Sequence, residues 1–160
     1  MKPNLRRRLT AEFLGTLLLV ATVVGSGIMA ERLANGNVAL ALLANTIATG
    51  AALVALILAF GPISGAHLDP VVSVADALED GLSWLETLAY VAAQMFGGIS
   101  GTLLAHVMFS LPFPFLSLSR HVRSGPAQFV SEFTATFGLL CVIWGCSRSR
   151  SNAVPFVVGS

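Results

Sequence analysis

From Val38 to Phe60 the chain carries no charged side chain, and three other stretches come close to that. A helix crosses the hydrocarbon core of a bilayer with about 20 mostly apolar residues. Residues 9–30, 38–60, 85–108 and 127–147 each meet that length, with Glu12, Glu86 and Glu132 as the charges they contain. A fifth apolar run opens at Asn152 and is still rising at Ser160. Only 11% of the 160 residues are charged, whereas a soluble domain carries about a quarter. These features predict an all-α, multi-pass membrane protein whose first partner is the lipid bilayer. The first run is too long for the core of a secretion signal, and Glu12 interrupts it early.

A formal net charge of +1 leaves no basic surface for nucleic acid. Cys141 and Cys146 stand five apart in an apolar stretch, a spacing that suits neither a disulfide framework nor a zinc site, and they read as small core residues. The sequence holds no catalytic motif, phosphate loop or metal cluster, so it predicts neither an enzyme nor a cofactor. A hydrolase needs a nucleophile and a base facing one cavity, and the only close constellation of that kind is His67 with Asp69, two apart on a loop, a weak basis for hydrolysis. Orientation follows from lysine and arginine in the connections. Six of the nine, Lys2, Arg6, Arg7, Arg8, Arg148 and Arg150, share one side, and Arg32, Arg120 and Arg123 share the other. The expectation is a cell-membrane protein with a cytoplasmic N-terminus. Trp84 and Tyr90 stand where interfacial anchors would, although ordinary packing explains Tyr90 equally well.

Residues 61–81, GPISGAHLDPVVSVADALEDG, are not an ordinary connection. Asp69 followed by Pro70 is a helix start, because aspartate accepts the orphan amides of a first turn and proline needs no bond there. The helix expected over residues 69–80 is about 15 Å long, half the hydrocarbon thickness. Such a half-helix would re-enter the membrane and end near its middle. Residues 64–68 would then be irregular backbone at membrane depth, tolerated only where protein covers it or water lines it. The alternative is a short amphipathic helix on the cytoplasmic surface, which its lack of lysine and arginine disfavours.

AEFLGTLLLV at residues 11–20 returns as SEFTATFGLL at residues 131–140, aligning Glu12 with Glu132, Phe13 with Phe133 and Thr16 with Thr136. Three spans separate the copies, so the second enters from the opposite side, as in inverted-repeat transport proteins. Each glutamate either braces a re-entrant segment or sits at interfacial depth. Ala89, Ala93, Gly97, Gly101 and Ala105 recur every four residues and allow close helix contact, by which spans two and three would clamp a narrow feature. Gln94, beside that stripe, is expected to bond a neighbouring helix.

AEFLGT around Glu12, SGAH at residues 64–67 with the Leu68-Asp69-Pro70-Val71 that follows, YVAAQMFGG at residues 90–98 and SEFTATFG at residues 131–138 together resemble the aquaporin and aquaglyceroporin family, in a bacterial form. The resemblance covers essentially the whole chain. It implies an aquaporin-like inverted-repeat bundle in which two half-helices meet at mid-membrane through paired Asn-Pro-Ala motifs. It also implies passive passage of water or small neutral solutes, and assembly as a homo-oligomer, a tetramer with one pore per subunit. Gly65, Ala66 and His67 would offer backbone carbonyls to the pathway. Asp69 stands at the family's solute-donating asparagine, and Glu12 and Glu132 match the glutamates that support the half-helix loops. Thr49 matches the second-span position of the outer constriction, where it would leave a mouth wide enough for glycerol-like solutes or metalloid hydroxides.

Two departures from the family pattern follow. Asp-Pro-Val replaces the first Asn-Pro-Ala, and an ionised carboxylate cannot donate a hydrogen bond. The sequence also stops within what resembles the fifth span, residues 152–160, so the expectation is a truncated domain that does not conduct by itself. It would be either a non-functional product or a half-channel completed by another chain.

Overall fold

The computed structural model describes residues 3–111 and 125–160. Helix α1 (Leu5–Leu33) starts at Asn4, whose side chain accepts from the Arg7 amide. A turn through Asn35 and Gly36, both at positive φ, reverses the chain into α2 (Val38–Ser64), which is again capped by an asparagine, Asn37. Next come the short α3 (Pro70–Leu78) and α4 (Trp84–Met108). Ser83 and Glu86 close a capping box at the start of α4, each side chain accepting from the other's backbone amide. Helix α5 (Pro126–Ser149), a single 3-10 turn (Ser151–Ala153) and α6 (Val154–Val158) complete the described residues, among which there is no strand. Four helices, α1, α2, α4 and α5, are long and apolar enough to cross a membrane.

Helix α1 is the hub and packs along both α2 and α4. Its contact with α4 is set by small residues. A Cβ at Gly97 would stand 2.5 Å from the Phe13 carbonyl oxygen, and one at Gly101 would collide with that of Leu17. Ala105 continues this buried face, while Ala89 and Ala93 are half-buried at its edge. The interior is more polar than the exterior: Glu12, Ser73 and Tyr90 are fully buried, whereas Leu42, Leu43, Ile47 and Phe96 are exposed. That inversion fits a bilayer, where lipid is as apolar as leucine and packing or hydrogen bonding drives helices together.

Several boundaries and placements depart from the sequence reading. Helix α2 runs past Phe60 to Ser64, carrying Pro62 within its last turn, and stops at Gly65 with φ +94°. Helix α3 ends at Leu78, where the Gly81 amide turns back to the Asp76 carbonyl. Tyr90 packs in the core with Ala77, Leu82 and Leu9 and is no interfacial anchor, whereas Trp84 is exposed. Cys141 is exposed and Cys146 half-buried, so neither is a core residue. Helix α5 lies against α6, the 3-10 turn and α3 and leaves most of its surface open. Lys2, Arg120 and Arg123 lie outside the described residues.

A candidate solute pathway at the start of the short helix

Between α2 and α3 the backbone leaves regular structure, with Ala66 at φ +49° and Leu68 at +53°. Side chains other than glycine rarely take that conformation, and it persists only where the surroundings over-determine it. Here the determinant is Glu12. One carboxylate oxygen accepts from Ser64 Oγ at 2.6 Å and the His67 amide at 3.0 Å. The other accepts from the Leu68 amide at 2.8 Å and Gln94 Nε2 at 2.9 Å. Burying an ionised carboxylate is costly unless its lone pairs are filled, and these four donors fill them. Ser64 Oγ in turn accepts from the Ala66 amide at 3.1 Å.

A second chain of bonds reaches the loop from the helix starts. Tyr90 Oη donates to the Ser64 carbonyl at 2.9 Å and accepts from Arg8 Nε at 2.8 Å. Arg8 also pairs with Glu86 at 2.8 Å, which ties the start of α1 to the start of α4. Arg148, near the end of α5, pairs with Glu79 just past the end of α3. The described cations therefore divide by end. Arg8 and Arg148 each pair with a glutamate flanking the α3–α4 turn, and Arg32 lies at the opposite end of α1, bonded to the Phe109 carbonyl.

Asp69 starts α3. Its Oδ1 accepts from the amides of Val71 at 2.7 Å and Val72 at 3.1 Å, with Pro70 at the first helical position. The positive end of the α3 dipole points at this carboxylate and favours its charge. Ser73, one turn on, receives Gln94 Nε2 at 2.9 Å and lies 3.2 Å from His67 Nδ1. The His67 ring leans on Tyr90, with centroids 5.3 Å apart.

A cavity of about 960 Å³ opens along this loop, lined on one side by Gly65, Ala66, His67 and Asp69 and on the other by residues of α5 and α6 that include Trp144 and Pro155. The carbonyls of Gly65, Ala66 and His67 accept no hydrogen bond from the described residues. Sequence reasoning named these residues, and the structure brings them together over Glu12. It does not bring Thr49 or Glu132 there. Thr49 donates to Asn45 Oδ1 at 3.3 Å, about 20 Å from Ser64 along α2, and is not among the lining residues. Glu132 is exposed on α5 and has no side-chain partner among the described residues. Ser64, Ser73, Tyr90 and Arg8 went unnamed as loop-holding residues. Tyr90 and Gln94, four apart on one helix face, and Asp69 and Ser73, likewise four apart, were the available signals.

The family model described as Major intrinsic protein matches residues 1–159. Aquaglyceroporin AqpS of Rhizobium meliloti (strain 1021) is 55% identical over 98% of this chain and 66% of its own length. Aquaporin NIP3-1 of Oryza sativa subsp. japonica is 35% identical over 88% of the chain and 44% of its own length. The glycerol uptake facilitator protein of Streptococcus pneumoniae is 28% identical over 95% and 70%. The chain thus spans between 44% and 70% of the length of these relatives.

Proposed function

The chain belongs to the major intrinsic protein family, and from that premise we propose that residues 65–69 line a passive membrane pathway for water or small neutral solutes of glycerol size. In this reading α3 is a half-helix that re-enters the bilayer from the cytoplasmic side, the N-terminus is cytoplasmic, and Arg8 and Arg148 mark the inner end. Gly65, Ala66 and His67 present carbonyls to the solute and Asp69 stands where the half-helix begins. Thr49, on the outward half of α2, faces the outer mouth, and subunits assemble as homotetramers. The single observation that carries the proposal is the buried Glu12, whose four bonds hold irregular backbone between apolar spans with free carbonyls toward a cavity. Backbone of that kind at membrane depth has to line water or be covered by protein. Two of the relatives are named for aquaglyceroporin or glycerol uptake function, which supports the solute class.

The test uses the cavity-lining Val72→Cys in a chain whose Cys141 and Cys146 are replaced by serine. A water-soluble thiol reagent should label it in membranes, and molar glycerol should slow the labelling. Leu43→Cys on the exposed apolar surface should react far more slowly. A thiol at position 72 that stays unlabelled, or labelling there that is indifferent to glycerol, would contradict the proposal.

A further inference from the structure

Nearly every polar group of this loop that remains for a solute is an acceptor. The Gly65 amide is bonded to the Gly61 carbonyl, that of Ala66 to Ser64 Oγ, and those of His67 and Leu68 to Glu12. Val71 and Val72 give their amides to Asp69 Oδ1, and Pro70 has none to give. Among the described residues Asp69 Oδ2 finds no bond, and the Asp69 amide is the one backbone donor left between Gly65 and Val72.

The state of His67 follows from counting protons on Ser73. A serine hydroxyl has one proton, and the Asp69 carbonyl, 3.1 Å from Ser73 Oγ, can only accept it. Gln94 Nε2 can only donate, and it reaches Ser73 Oγ from the other side. All three contacts of Ser73 Oγ are hydrogen bonds together only when the one to His67 Nδ1 takes its proton from the histidine. The neutral ring then carries hydrogen at Nδ1 and a bare lone pair at Nε2. The Nε2 edge lies beside Gly65, and both residues line the cavity.

We propose that Ser73 is a positioning residue that locks His67 in the Nδ1–H tautomer, so that His67 Nε2, Asp69 Oδ2 and the free loop carbonyls form an acceptor lining selective for solutes rich in hydrogen-bond donors. The inference rests on the pathway reading above and adds its solute preference. A solute that offers several O–H or N–H groups is paired at each step along such a lining. One that only accepts hydrogen bonds meets lone pairs and loses those made to water. Asparagine at position 69 would keep the helix cap through its oxygen and turn a donor toward the cavity in place of Oδ2.

The first experiment is nitrogen NMR of the full chain labelled with ¹⁵N-histidine in lipid bilayers at mildly alkaline pH, with the His67 signals assigned by their loss in His67→Phe. His67 should show a protonated Nδ1 and an unprotonated Nε2. Ser73→Thr, which keeps the hydroxyl, should preserve the pattern, and Ser73→Ala should shift population toward Nε2–H. A wild-type His67 with its proton on Nε2 would overturn the inference. The second is passage through vesicles of urea, rich in N–H donors, against dimethyl sulfoxide, which has none. Asp69→Asn should lower the urea preference about two- to tenfold, the effect of one net hydrogen bond. An unchanged ratio would overturn the selectivity. Vesicles that pass neither solute faster than protein-free ones would instead overturn the pathway reading, and the nitrogen spectra would still decide the tautomer.

Discussion

Replacing Glu12 by glutamine changes one atom and leaves shape and volume almost untouched, so its effect isolates the hydrogen bonds. In the wild type both carboxylate oxygens accept, one from Ser64 Oγ and the His67 amide, the other from the Leu68 amide and Gln94 Nε2. A carboxamide accepts through one oxygen and donates through its nitrogen. Whichever way it is turned, two of the four donors face an NH₂ group. The Ser64 hydroxyl can turn and accept from that group, but the His67 or the Leu68 amide cannot, and a buried donor left unpaired costs about 1–3 kcal/mol, so Glu12→Gln should cost at least about 1–3 kcal/mol, a sizeable share of the roughly 5–15 kcal/mol that holds a typical domain together. Thermal unfolding in detergent, followed by circular dichroism, should show a markedly lower midpoint. Limited proteolysis should find new cleavage between Ser64 and Asp69. Glu132→Gln is the matched control. Its carboxylate is exposed without a partner among the described residues, so the change should stay within about 0.5 kcal/mol. A Glu12→Gln protein that melts with the wild type would refute the argument that this carboxylate over-determines the loop.

Three further outcomes follow. Gly101→Leu should destabilise by about 1–3 kcal/mol or more, because even a Cβ there collides with the Leu17 carbonyl, and the same thermal assay reads it. Tyr90→Phe removes the hydroxyl between Arg8 Nε and the Ser64 carbonyl. It should cost about 1–3 kcal/mol and leave the helical content unchanged, and a melting point equal to wild type would show the bridge to be idle. Cysteine at position 35, in the α1–α2 turn, should be labelled by an impermeant reagent on intact cells, and cysteine at position 149 only after permeabilisation. The reverse pattern would invert the proposed topology.

What the sequence disclosed, and what it withheld, follows from which signals are local. Span existence depends on runs of apolar residues, and the start of α3 on the adjacent pair Asp69 and Pro70, so both are visible along the chain. That Gly97 and Gly101 permit a close helix contact is visible as a four-residue repeat, but the partner is α1 and not the second span with which the repeat alone predicts a clamp. Burial was not legible for Tyr90, because in an apolar helix the lipid-facing and buried sides have similar composition and periodicity separates them poorly. The chain from Arg8 through Tyr90 to Ser64 joins three distant segments, and no spacing rule connects them. Glu12 and Glu132 occupy matching places in the sequence repeat yet differ completely in surroundings. One is fully buried under four donors and the other is exposed, a difference made by tertiary neighbours and absent from the repeat itself. Thr49 matched the family's constriction by sequence position, while the cavity along the loop is lined by other parts of α2 and by α5 and α6.

The central claim is that the Glu12-held loop lines water at membrane depth. Spin-label accessibility measures this directly. A nitroxide attached through Val72→Cys, in the chain with Cys141 and Cys146 replaced and reconstituted in bilayers, reports its collision rates with oxygen, which concentrates in lipid, and with a water-soluble nickel chelate. The account predicts that the chelate dominates at position 72 and oxygen dominates at position 43 on the exposed apolar face of α2. Oxygen-dominated relaxation at both positions would place the loop against lipid and contradict it.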